Sequence, residues 1–259
     1  MMRRVIAIRV TTMILILGIW EIISRSGLVL VTVLPPPSEV FVQGIEIFQT
    51  NTIWTDIYVS VYEIVIGLGI GVVVGLIGGA IIGSSRYLSE LFEPIFYYFG
   101  AVPKIILLPI FILFLGIGVE SKVGIAAVSA FFPILVNTAL AVREVKPIYL
   151  RVGQSFGASR YQLYKNVFTP AIVGPVLSGI RLGLGVAITG ALLAETKVAQ
   201  FGLGFRAIDY YSQLRIAEMY ALLIVVFVGA AAVNFLLGYF IARATRYEPQ
   251  MSQGTMSVG

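Results

Sequence analysis

Long apolar runs separated by short polar breaks dominate the chain. They lie at about 5–23, 57–83, 94–118, 123–142, 171–194 and 219–242, each near or above the ~20 residues that a helix needs to cross a hydrocarbon core. Backbone groups in hydrocarbon must be paired within their own segment, so such runs form helices rather than lone strands. The breakers fall mostly between them: Pro35-Pro36-Pro37, Ser84-Ser85-Arg86, residues 116–122, the polar stretch 143–170 and the loop Gly202-Leu203-Gly204. The pattern predicts an all-α, polytopic integral membrane protein with six transmembrane helices, one transmembrane domain over 1–259, and a helical loop at about 143–170. A small, polar tail at about 248–259 is expected to lack fixed structure. The first run, preceded by Arg3, Arg4 and Arg9, has the charge order of a signal peptide. Glu21 and Ser24-Arg25-Ser26 follow it without a small-x-small cleavage site, which favours a retained helix.

The second run carries its own periodicity. Gly67, Gly71, Gly75, Gly79 and Gly83 recur every four residues and share one slowly drifting helix face. Small-xxx-small faces let helix backbones approach closely in lipid, where van der Waals contact replaces the hydrophobic effect. The stripe therefore predicts close packing, either within the subunit or against a second copy. Gly179 and Gly183 repeat it more weakly. Gly67-Leu68-Gly69-Ile70-Gly71 is not a phosphate cradle, because it follows no strand and lacks the G-x-G-x-x-G spacing.

Composition sharpens this picture. Of 259 residues 58% are hydrophobic and 12% charged, too little charge to cover a soluble globule of this size. The chain has neither Cys nor His, which excludes disulfides, zinc and haem sites, Cys nucleophiles and His bases. No metal site is expected. The net charge of +5 is spread along the chain rather than gathered in a patch, so nucleic acid is not implied. With the N-terminus inside, eleven basic residues fall on the inner side (Arg3, Arg4, Arg9, Arg86, Arg143, Lys146, Arg151, Arg160, Lys165, Arg243, Arg246) and five on the outer (Arg25, Lys122, Lys197, Arg206, Arg215). The positive-inside rule then places both termini in the cytoplasm.

The inner segment 143–170 reads as a built elbow. Gly157 is placed to end a first short helix in a left-handed conformation, and Ser159 with Gln162 forms an S-x-x-Q capping box that opens a second. Pro170 closes the second helix and hands the chain to the fifth span. Such an elbow is either a lever for a partner or an amphipathic loop on the inner leaflet. Arg151-Val152-Gly153-Gln154-Ser155-Phe156-Gly157-Ala158-Ser159, continuing to Val167-Phe168-Thr169-Pro170, resembles the EAA loop of binding-protein-dependent ABC importer permeases. In that pattern E-A-A is followed by three residues, Gly, nine residues and I-x-L-P. Gly157, the nine-residue gap and Pro170 match, Val167 replaces the Ile, and the E-A-A positions read Arg151, Val152 and Gly153. Leu34-Pro35-Pro36-Pro37-Ser38, Ala101-Val102-Pro103 with Leu108-Pro109, Phe131-Phe132-Pro133-Ile134-Leu135 with Asn137-Thr138, and Gly179-Ile180-Arg181-Leu182 with Ala194-Glu195 are similar to the nitrate, sulfonate, taurine and bicarbonate branch. That branch also carries pyrimidine, thiamine-precursor and riboflavin cargo.

The resemblance implies a permease in the cell membrane that pairs with a second permease, identical or paralogous. The pair would dock on two cytoplasmic ATPase subunits and receive a small solute from an extracytoplasmic binding protein. The ATPase-coupling residues would be Arg151, Val152, Gly153, Gln154, Phe156, Gly157 and Ser159. The chain has no G-x-x-x-x-G-K-[ST], so ATP and Mg2+ would belong to the ATPase partner and the subunit itself would not be an enzyme.

Ionisable groups within spans suggest function. Lys104, expected near the middle of the third span beside Pro103, is the first path candidate; alternatively it pairs with Glu63 or reaches an interface along its stem. Tyr97, Tyr98 and Phe99 either face a flat organic cargo or anchor the helix at the interface. One cation beside several aromatics favours an organic cargo over a small inorganic anion. Arg181, about three turns into its helix, is expected in a structural ion pair, and Glu195 at the outer mouth of the fifth span. Two rivals remain. An ion-coupled secondary transporter would need buried acids, of which Glu63 is the clear candidate, and would leave the elbow without purpose. An intramembrane enzyme would need a nucleophile and base that the chain lacks.

Overall fold

The computed structural model describes residues 2–244, with the side chains of Met2, Arg3, Tyr97 and Ala244 outside that description. The expected 248–259 tail and Arg246 therefore lie outside the described residues. Among the described residues eleven α-helices follow in order: α1 Met2–Arg25, α2 Pro37–Phe48, α3 Asn51–Gly83, α4 Arg86–Ala101, α5 Leu108–Leu115, α6 Val119–Arg143, α7 Pro147–Ser155, α8 Arg160–Leu163, α9 Thr169–Val198, α10 Leu203–Ser212 and α11 Ile216–Ala244. No strand occurs among the described residues. The spans Arg4–Arg25, Asn51–Gly83, Val119–Arg143, Arg160–Val198 and Ile216–Arg243 are long and apolar enough to cross a membrane, and α4 with the helical stretch to Leu115 makes a sixth only as a bent pair.

That bend corrects the third span expected at 94–118. Pro103 has no N–H, and the residue before a proline is pushed out of the helical region. Val102 accordingly takes φ −66°, ψ 130° and ends α4. The chain turns by 89° and resumes through a 3-10 turn at Lys104–Leu107 into α5. Two further helices went unrecognised. Pro37 opens α2 with the fixed φ that suits a first helical position, Pro36 standing extended before it. The loop expected at Gly202 also continues directly into α10.

The chain divides into two compact units. One comprises Met1–Tyr62 and Leu192–Ala230. Its core gathers Val40 and Ile47 of α2, Ile53 of α3, Tyr210 of α10, and Ala221 and Leu222 of α11. Polar bonds clamp the end of α1 to the proline run: Ser24 Oγ donates to the Leu34 carbonyl at 2.6 Å and Trp20 Nε1 to that of Pro35 at 3.1 Å.

The other unit comprises Glu63–Ala191 and Ala231–Gly259 and is organised around α6. The glycine stripe of α3 lies against it within the subunit. A Cβ at Gly67 would stand 2.5 Å from Ala126 Cβ, at Gly71 2.8 Å from Ala130 Cβ, at Gly75 2.9 Å from Ile134 Cγ2 and at Gly79 2.6 Å from Thr138 Cβ, while at Gly83 it would meet Ala139 and Val142. Gly179, Gly183 and Gly190 of α9 approach Asn137, Ile134 and Ser129 equally closely. α6 is thus gripped by two glycine-bearing helices, and Ala126, Ala130, Ile134, Ala187 and Ala191 form a fully buried seam.

Candidate functional site

The elbow begins where α6 ends at Arg143. Pro147 starts α7, which runs only to Ser155 because Gly157 follows at φ +74°. An L-residue in that region brings Cβ against the following carbonyl, whereas glycine has none to place there. The Ala158 N–H bonds the Gly153 carbonyl at 3.1 Å and the Gly157 N–H that of Gln154 at 2.9 Å, the paired bonds of a Schellman ending. Ser159 then opens α8. Its Oγ accepts from the Gln162 N–H at 3.3 Å, and Gln162 Oε1 accepts from the Ser159 N–H at 2.8 Å. The reversal between α7 and α8 therefore pairs the amides of Gly157, Ala158, Ser159 and Gln162.

Gly153 occupies the third E-A-A position, and a Cβ there would collide with Leu163, which is buried between the two arms. α8 differs from expectation, since Pro170 does not close it. A π-turn over Tyr164–Phe168 carries the helix straight into α9, with the Thr169 N–H reaching back to the Tyr164 carbonyl. Pro170 cannot donate to the carbonyl four residues earlier, and the wider turn before it absorbs the mismatch. The elbow is therefore a continuation of a spanning helix.

Arg151, Val152, Gly153, Gln154, Phe156, Gly157 and Ser159 all lie within this one reversal. Phe156 is 86% exposed at its tip, with Val152, Tyr161 and Tyr164 exposed beside it. Burying one such phenylalanine against a partner is worth about 1.5–3 kcal/mol.

The second group of expected residues sits at the break after α4. Lys104 Nζ donates to the carbonyls of Phe99 at 3.0 Å and Gly100 at 2.5 Å, and lies 4.9 Å from the centre of the Phe132 ring. It caps the end of α4 rather than standing mid-helix, and its acceptors are backbone carbonyls rather than Glu63. Pro103 makes the bend, Tyr98 is exposed on α4, and the Tyr97 side chain lies outside the described residues.

Two charges expected elsewhere are also placed differently. Glu195 is not at an open mouth but fully buried. Its Oε1 accepts from Ser60 Oγ at 2.6 Å and its Oε2 from the Gly204 N–H at 2.6 Å. Asp56 is buried beside it, accepting from the Gly202 N–H at 2.9 Å and from Arg206 Nε at 2.7 Å, while Ser60 Oγ accepts from the Leu203 N–H at 2.8 Å. Gly202, at φ +115°, thus opens α10 with three successive amides taken by side chains from α3 and α9. Burial works against the Arg206 charge, yet Asp56, with Asp209 and Tyr210, more than offsets it and holds the guanidinium above its usual value. Arg181, in turn, is in no ion pair among the described residues: its Nε donates to Asn234 Oδ1 of α11 at 2.7 Å.

The buried network around α10 was not anticipated. Its signal was present, because the face of the glycine stripe continues backwards, in steps of four and three residues, through Glu63, Ser60, Asp56 and Ile53, all buried. Hydropathy trimmed the run at Ile57, whereas the helix starts at Asn51. Among the described residues no group of three or more carboxylates is placed to hold a metal.

Residues 67–246 match the family described as binding-protein-dependent transport system inner membrane component. The chain is 29% identical over 207 residues to the taurine transport system permease protein TauC of Escherichia coli (strain K12), covering 78% of this chain and 75% of that one. It is also 29% identical over 194 residues to the putative aliphatic sulfonates transport permease protein SsuC of Bacillus subtilis (strain 168), covering 75% and 70%. Its fold is similar to that of a chain in the inward-facing MetNI methionine ABC transporter, with a TM-score of 0.63, 20% identity, and coverage of 73% of this chain and 94% of that one.

Proposed function

The chain belongs to the inner-membrane component family of binding-protein-dependent transport systems, and from that premise we propose that its elbow couples ATP hydrolysis on partner subunits to passage of a small organic anion. It is a multi-pass, inner-membrane permease of an ABC importer, a transport protein rather than an enzyme. The observation that carries the proposal is the 86% exposed Phe156 on a reversal locked by a Schellman ending and a capping box. An exposed aromatic at the tip of a rigid corner suits a preformed groove. α8 continues through the π-turn into α9, so a push on the elbow reaches the span as rigid-body motion.

On this reading two ATPase subunits hold ATP and Mg2+, and two permeases, identical or paralogous, meet in the membrane. Arg143, Lys146, Arg151, Arg160 and Lys165 around the elbow support a cytoplasmic placement, with both termini on the same side. The bent α4–α5 pair contributes to the path. Pro103 is its joint, Tyr98 its exposed aromatic, and Lys104 caps α4 as a fixed support. Taurine and sulfonate permeases among the relatives favour a sulfonate-bearing cargo. The ion-coupled alternative finds no support, since the family depends on a binding protein.

The test is reconstitution of the permease with its cognate ATPase subunits and binding protein. ATP-dependent uptake of a sulfonate into proteoliposomes, lost when either partner is omitted, is the expected result. Uptake driven by a proton or sodium gradient without ATP would overturn it.

A further inference from the structure

Arg181 lies deep in its span. At 1.5 Å per residue it stands about 18 Å beyond the start of α9 at Thr169 and about 26 Å before its end at Val198. An arginine at this depth is costly unless it faces protein or water. Its setting is specific. Nε donates to Asn234 Oδ1 at 2.7 Å, and one turn further along α11 the guanidinium lies over Gly238, where a Cβ would come within 3.1 Å of Cζ and Nη1. The side chain is exposed and forms no salt bridge with a carboxylate among the described residues. Asn234 thus fixes the direction of the group, Gly238 leaves room for it, and the Nη1 and Nη2 hydrogens form an open fork.

Three surroundings are conceivable for that fork. Hydrocarbon is excluded by cost. Among the described residues a second copy of the chain brings no exposed acid midway along α1, α3, α6, α9 or α11, because Asp56, Glu63 and Glu195 are buried in their own subunit. Of the other described carboxylates, Glu21, Glu90, Glu120, Glu144 and Glu218 stand within about a turn of a helix end, Glu39, Glu46 and Asp209 lie on the short helices α2 and α10, and Glu93 is bonded to Arg143 at the end of α6. A water-filled path remains, and what a planar guanidinium fork recognises best there is an oxyanion held by two parallel bonds.

We propose that Arg181, oriented by Asn234 and seated on Gly238, is the binding contact for the anionic head group of the cargo on its way through the membrane. The cargo class is small sulfonates and like oxyanions. This rests on the permease reading above and names the ligand chemistry of its path. Asn234 and Gly238 are positioning residues.

The test uses the complete assembly of permease, ATPases and binding protein in proteoliposomes, with taurine, ethanesulfonate, nitrate and uncharged riboflavin as probes. Arg181→Gln is expected to lower ATP-dependent uptake of the transported anion at least tenfold, with ATPase retention and basal ATP hydrolysis within twofold of wild type. Arg181→Lys keeps the charge without the fork and falls between the two. Gly238→Leu, which displaces the guanidinium without removing it, is expected to mimic Arg181→Gln. Unchanged anion uptake in Arg181→Gln, or full uptake in Gly238→Leu, overturns the proposal. If Arg181→Gln fails to assemble, Arg181→Lys and Gly238→Leu decide, and wild-type uptake in both overturns it. ATP-driven wild-type uptake of riboflavin but of no anion overturns the role of Arg181 alone. Absence of ATP-driven uptake of every probe, with no retained ATPase, overturns the permease reading beneath it.

Discussion

Replacing Gly157 separates backbone geometry from surface contact at the elbow. A Cβ built there meets nothing within 4 Å, while φ is +74°, so substitution acts through the backbone alone. An L-residue in this region costs about 1–2 kcal/mol. Leaving it forfeits the Ala158-to-Gly153 and Gly157-to-Gln154 bonds, each worth about 1 kcal/mol. Asparagine tolerates the region far better than alanine, and β-branched valine worse. The expected order of function is therefore Gly, then Asn close behind, then Ala, then Val. A penalty of about 2 kcal/mol for Gly157→Val reduces the properly folded elbow roughly thirtyfold relative to its alternatives. The assay is the amount of ATPase subunit retained on affinity-purified permease at subsaturating ATPase, read beside ATP-dependent uptake. Gly157→Val indistinguishable from wild type would refute the reasoning, and so would Gly157→Asn as damaging as Gly157→Val.

Two further substitutions probe the scaffold. Gly71→Leu would drive a side chain into Ala130 and the Ala127 carbonyl, 2.8 and 2.9 Å from the first added carbon, at a cost of at least about 1–3 kcal/mol; Gly69→Leu, with nothing within 4 Å, is the matched control. Melting in detergent should fall for the first and hold for the second, and equal effects would count against packing on α6. Asp56→Ala frees the Gly202 N–H and leaves Arg206 with Asp209, 3.0 Å away, as its carboxylate partner. Breaking a buried pair costs about 3 kcal/mol, or a fall in Tm of about 6–12 °C for a chain of this size. A Tm within a degree of wild type would show that α10 is not held by this network.

Much of the architecture is legible as periodicity. Apolar runs of membrane length mark five straight spans, and the four-residue glycine rhythm marks the face of α3 that meets α6, though not whether its partner lay in the same chain. The elbow was legible because its chemistry is local: Gly157, Ser159 and Gln162 fix φ and capping within six residues. What failed to show was non-local or masked by hydropathy. An apolar scan cannot see the break at Val102–Pro103, because proline stops the helix without interrupting the hydrophobic run. Asp56 falls outside the apolar run at 57–83 because it is polar, although with Ser60 it continues the buried face of α3. The sequence suggests an ion pair for Arg181 and an outer mouth for Glu195, yet the first meets an asparagine of α11 and the second a serine of α3 and the Gly204 amide.

The most direct test of the coupling elbow uses the fact that the chain has no cysteine. Phe156→Cys places a single thiol at the elbow tip, and Leu236→Cys, on the exposed face of α11, serves as control. With a thiol crosslinker in inner-membrane vesicles, Phe156→Cys should yield a covalent adduct with the ATPase subunit, its yield changing with ATP, and Leu236→Cys should yield none. No ATPase adduct from Phe156→Cys, in vesicles where ATP-dependent uptake persists, would contradict the account.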